Sequence, residues 1–91
     1  MVKAVVLYVE EPDPERYAAH AELCRRVAGG TFRHGPVFGS PTRSGYRYYA
    51  EWEFPDRETF DRAAASPESA ATGKDALDLG ARLEVLFANV D

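Results

Sequence analysis

The stretch "SGYRYYAEWEF", Ser44–Phe54, is the one whose reading decides the fold. Taken with a period of two, Tyr46, Tyr48, Ala50, Trp52 and Phe54 share one face, and Arg47, Tyr49, Glu51 and Glu53 share the other. Side chains of a strand point alternately to opposite faces, so this is a strand with one apolar side. An ordinary half-buried strand fills that side with Val, Ile or Leu. Tyr and Trp bring polar atoms with them, which suits either a core that satisfies those atoms or the wall of a pocket for a flat organic molecule. Small residues on the helices expected to face it, Ala18, Ala21, Ala63 and Ala64 among them, leave room for a cavity.

The neighbouring segments follow outward from this strand. "GSPTRSG" before it is loop chemistry, and Thr31–Phe38 reads as a weaker strand broken by Gly35-Pro36, forming a hairpin with it. Val2–Val9 is rich in β-branched residues and reads as the first strand. Asp13 as N-cap, Pro14 at the first helical position and Glu15 at the positive end of the dipole predict a helix running to about Val27 and stopping at Gly29-Gly30. Beyond Phe54, Asp56 caps a second helix with Phe60, Ala63 and Ala64 inward. Ser66-Pro67-Glu68 starts a third, ending near Gly80, and Arg82–Val90 is the last strand.

This order predicts an α+β, ferredoxin-like βαββαβ fold, a four-stranded antiparallel sheet with helices on one face, as one domain over residues 1–91. The opposite sheet face is left bare, with apolar residues from several strands. On so small a domain such a face meets a partner, and a homodimer through the sheet faces is expected.

Composition narrows the function. Hydrophobic residues make up 45% and charged residues 29%, and the net charge of −4 is spread without blocks of one sign. That disfavours nucleic acid and anionic membrane as partners. A ferredoxin-like sheet can stack RNA bases on its aromatics, but the RNP1 pattern is absent. Cys24 is the only cysteine, which excludes an internal disulfide and disfavours a thiolate zinc site. The apolar run near the N-terminus is too short for a signal peptide or a spanning helix, so the chain is expected to be cytoplasmic. His20 and His34 lack further ligands at metal-binding spacing, and neither G-x-G-x-x-G nor a Walker sequence occurs, so no metal or cofactor is expected.

On the first helix Tyr17, His20, Ala21 and Cys24 share one stripe, which turns His20 inward. A buried imidazole is costly unless bonded, and its titration near neutrality suits proton transfer. It is either a core histidine or a pocket residue with a role in catalysis. The acids placed by pattern, Glu51 and Glu53, lie beyond the sheet, so its expected partner is a tyrosine hydroxyl or a backbone carbonyl and its expected form is neutral. Glu51 and Glu53 themselves read as a solvated face or, preferably, as a salt-bridged seam between subunits.

Three stretches, "VKAVVLYVEEPDPERYAAH", "YYAEWEFPDRETFDRAAASPE" and "LEVLFANV", resemble the EthD-like family, named for ethyl tert-butyl ether degradation. They carry a first strand ending in Tyr8, a helix bearing His20, the pair Ala50-Glu51 and the corner Ala64-Ala65-Ser66-Pro67-Glu68. Many relatives have a second histidine one turn further along the first helix; here Arg25 and Val27 stand at the matching places. The resemblance implies a dimeric α/β barrel and an association with oxidative degradation of small organic molecules. Related barrels include cofactor-independent monooxygenases, isomerases and cyclases that use a pocket between sheet and helices. It therefore implies an oxidoreductase or an accessory factor with a small apolar or aromatic ligand. Tyr46, Tyr48 and Trp52 would wall the pocket, His20 would move a proton, and Tyr17 would orient the histidine. The alternative is a non-catalytic dimeric module that binds or carries the same ligand.

Overall fold

The computed structural model describes residues 1–91. Strands β1 (Val2–Tyr8), β2 (Thr31–Pro36), β3 (Tyr48–Phe54) and β4 (Leu83–Asn89) form one sheet in the order β2-β3-β1-β4. All three pairings are antiparallel. Helices α1 (Pro14–Arg25), α2 (Arg57–Ala64) and α3 (Pro67–Asp78) accompany it. This is the ferredoxin-like arrangement expected from the order of elements, with the second helical stretch split in two.

The helix starts are set by side chains. Asp13 accepts from Arg16 N–H, Asp56 from Thr59 N–H and Ser66 from Ser69 N–H, each satisfying an orphan donor of the first turn. Helix α1 stops before Val27, because Arg26 and Val27 bond the carbonyls of Leu23 and Cys24 three residues back and Gly29 then turns at φ +89°. Strand β3 begins at Tyr48, later than the Ser44 start that alternation predicts. Gly45 at φ +85° turns the chain just ahead of it, so Tyr46 lies outside the ladder.

Alternation from Tyr48 onward holds. Ala50, Trp52 and Phe54 face the helices and meet Val2, Ala4, Val6 and Tyr8 of β1. The buried residues form two clusters, one around Val2, Phe54, Phe60 and Ala63, the other around Val6, Tyr8, Tyr17 and Ala50. Trp52 packs against both and is half-buried, facing the helices as its period predicts.

On the bare face the register sets Arg33, Glu51, Val5 and Leu86 side by side across the strands. Glu51 is only 6% exposed, which overturns the solvated-face reading for it. Its carboxylate accepts from Lys3 Nζ at 3.2 Å, Arg33 Nη2 at 2.8 Å and the Tyr49 hydroxyl at 2.7 Å. Burial works to raise its pKa, yet the bonds from Tyr49, Arg33 and Lys3 outweigh it and lower the value to about 2. Lys3 of β1, Arg33 of β2 and Tyr49 of β3 thus gather on one carboxylate across three adjacent strands. Beside it Val5, Leu7 and Leu86 supply the apolar part, and Leu86 remains 52% exposed.

Candidate functional site

Arg16 and His20 stand four residues apart on α1, so they project on one side of it. Both meet Asp75 of α3. Arg16 binds its carboxylate through Nη2–Oδ1 at 2.7 Å and Nη1–Oδ2 at 3.1 Å. His20 Nδ1 lies 2.8 Å from Oδ2. The Arg16 fork holds the Asp75 carboxyl below the usual carboxylate range; partial burial opposes this and the His20 bond reinforces it. An ionised carboxylate only accepts, which assigns the Nδ1 proton to His20 as donor and leaves Nε2 with the lone pair in the neutral ring.

His20 is 3% exposed, yet Nε2 has no partner within the protein. No buried side-chain nitrogen or oxygen lacks a hydrogen bond, so Nε2 is not sealed in. The His20 ring lines a cavity of about 180 Å³. The floor is Val6, Ala50 and Trp52; the roof is the small-residue side of α3, with Thr72, Gly73 and Ala76. Helix α3 rests on α1 and α2 and stands off the sheet, which is why the space beneath it stays open.

The expected partner of His20, a tyrosine hydroxyl or backbone carbonyl, is thus replaced by an acid. Tyr17 touches the histidine ring at a centroid distance of 5.3 Å, but its hydroxyl is paired with Tyr8 at 3.2 Å. Asp75, not Tyr17, orients the imidazole. Burial, followed by the Tyr8 contact, pushes the Tyr17 hydroxyl well above its usual range, so it stays protonated. Burial likewise pushes the Cys24 thiol up to about 12, which makes it inert.

Of the expected site residues, the cavity brings together His20, Tyr17 and Trp52. The indole N–H of Trp52 donates to Cys24 O at 3.0 Å, fixing its ring as a wall. Tyr48 lies on the other side of Tyr17, where its hydroxyl meets His34 Nδ1 at 2.6 Å in a separate outer hollow that Arg25 also lines. Burial, then the charges of Arg25 and His20, lower the His34 pKa. Tyr46 bonds Glu84 outside both spaces. Arg25, in place of the relatives' second histidine, pairs with Glu22 at 3.3 Å. No group of three or more His, Cys, Asp or Glu side chains converges to hold a metal ion.

Arg16 and Asp75 were not singled out from the sequence. A signal existed: Asp75 borders the inward stripe Ser69, Thr72, Gly73 and Ala76, where an acid needs a partner.

Fold and site define a small ferredoxin-like protein with a carboxylate-held histidine under its helices. In fold and sequence the chain resembles an EthD family protein. An EthD family protein from Bacillus halodurans is 27% identical, with 100% of this chain and 99% of that one covered and a TM-score of 0.83. A dimeric ferredoxin-like protein of unknown function from Jannaschia shares the fold at 20% identity, with 98% of each chain covered and a TM-score of 0.75. SnoaB, a cofactor-independent oxygenase from Streptomyces nogalater, shares it at 21% identity, with 98% and 91% covered and a TM-score of 0.63. Neither a family model nor a curated protein matches the chain. No helix is long and apolar enough to cross a membrane.

Proposed function

We propose that this EthD-like chain binds a small apolar or aromatic molecule between sheet and helices and takes a proton from it with His20. One observation carries the reading: the His20 ring lines a mostly apolar cavity with Nε2 unpaired while Nδ1 is held by a carboxylate. In the step, the X–H bond of the ligand breaks, its electron pair stays on X, and the proton moves to Nε2. The resulting imidazolium is balanced by Asp75, and Arg16 keeps that carboxylate ionised and in place. Low polarity around the site strengthens this charge pair. Trp52 and Tyr17 supply flat walls. The likeness to a cofactor-independent oxygenase supports oxidative breakdown as the context, because an anion yields electrons to dioxygen more readily than its neutral parent.

The working unit is a homodimer closed through the bare sheet faces. The exposed Leu86 beside Val5 and Leu7 supports this, as does the likeness to a dimeric ferredoxin-like protein. A single, buried, unpaired cysteine fits a reducing cytoplasm.

The test uses para-nitrophenol, whose phenolate absorbs in the visible. Bound to the parent protein in mildly acidic buffer, it is expected to show more phenolate than in free solution. His20→Phe should bind it as the neutral phenol, and Asp75→Asn should fall between. Identical spectra for parent and His20→Phe would leave a carrier in which His20 is only packing.

A further inference from the structure

A second space of about 100 Å³ lies beneath α2 and the start of α3. It is continuous in lining with the His20 cavity: Trp52, Ser69 and Thr72 border both. The two lobes differ in character. The first holds His20, Tyr8, Tyr17 and Cys24; the second has no titratable side chain, and Phe54, Phe60 and Phe87 wall it. These rings are already set edge to face, Phe54–Phe60 at 5.6 Å and Phe60–Phe87 at 4.9 Å between centroids. At the junction, the Trp52 indole N–H is engaged by Cys24 O and the Thr72 hydroxyl donates to Ser69 O at 2.7 Å. Those engaged groups leave the boundary shared by the two lobes largely apolar.

Volume sets the size of what fits. The first lobe, at about 180 Å³, has nearly twice the space of the second, at about 100 Å³, so the larger part of a ligand belongs beside His20 and a short tail in the second lobe. We infer that the ligand is bipartite, with a single-ring head carrying a weakly acidic O–H against His20 and a short unbranched apolar tail of about three carbons in the phenylalanine lobe. This rests on the proton-accepting role of His20 for the head; the tail rests on the second lobe alone. Ala64, exposed but lining that lobe, is the position that sets tail length, since a larger side chain there grows into the lobe without entering the core.

The experiment is calorimetric titration with phenol, para-ethylphenol, para-propylphenol and para-hexylphenol. Affinity should rise about fourfold for each methylene up to propyl, the value of burying one such group, and then level off. Ala64→Leu should keep the affinity for phenol and lose the gain from the tail. Phe87→Ala, which removes one wall, should reduce the gain without abolishing phenol binding. A flat series in the parent, or a gain undiminished in both variants, overturns the bipartite ligand. If phenol binds, His20→Phe weakens it and the tail makes no difference, only this inference falls. If no member of the series binds, the proton-accepting pocket falls with it.

Discussion

Replacing Glu51 by Gln removes one charge from the bare sheet face and keeps the shape. The fold lowers the Glu51 pKa from an ordinary 4.5 to about 2. At about 1.4 kcal/mol per unit, the ionised form is favoured by about 3 kcal/mol in the folded state. Glu51 is well enough shielded for that figure to apply without a large discount for solvent. A carboxyl whose pKa falls on folding adds stability that is complete above the pH where the unfolded group titrates. That stability is lost as the pH drops through the folded value. Glu51→Gln should therefore be less stable than the parent by about 3 kcal/mol at neutral pH, roughly 12–24 °C in Tm for a domain of this size. The gap should shrink between about pH 4.5 and about pH 2. Urea melts of both proteins over that range, at one fixed protein concentration, measure it. A neutral-pH difference below about 0.5 kcal/mol, or a gap that stays constant into acid, would refute the reasoning.

Three other substitutions probe the packing. A methyl at Gly30 would sit 2.6 Å from Phe54 Cε1 in a closed part of the core, so Gly30→Ala should cost about 1–3 kcal/mol by urea melt. Trp52→Ala should cost about 3 kcal/mol, the low end for a large core aromatic, because Trp52 borders open space as well as both clusters; calorimetric melting reads this out. Ser66→Ala removes the cap of α3 and should cost about 1 kcal/mol, with faster amide exchange confined to α3.

Local signals carried most of the fold. The caps Asp13, Asp56 and Ser66, and the alternation from Tyr48 to Phe54, are properties of neighbouring residues, and neighbouring residues are what a sequence displays. Tyr46 broke the pattern because a glycine at positive φ interrupts the extended chain, and alternation alone carries no trace of that turn. The inward stripe of α1 located His20. Its partner came from α3, 55 residues away, and no periodicity says which helix lies against which. Glu51 shows the same limit: Arg33 becomes its neighbour only once β2 is registered against β3. Separations of that kind are decided by tertiary packing.

Strand β1 lies between β3 and β4, so one edge of β1 is completed by the described strand furthest from it along the chain. Val2 pairs with Asn89, and the ladder runs to Tyr8 with Leu83. During synthesis, β1 can join β3 at intermediate length but must wait for β4 to emerge. Until then the unpaired N–H and C=O groups along one edge of β1 are open to any other nascent chain. Contacts of such wide sequence separation close slowly because loop entropy must be overcome first. Folding on the ribosome should then proceed in two stages, with β1–β3 and α1 ordered first and protection of the Val2–Tyr8 edge arriving only once β4 has emerged.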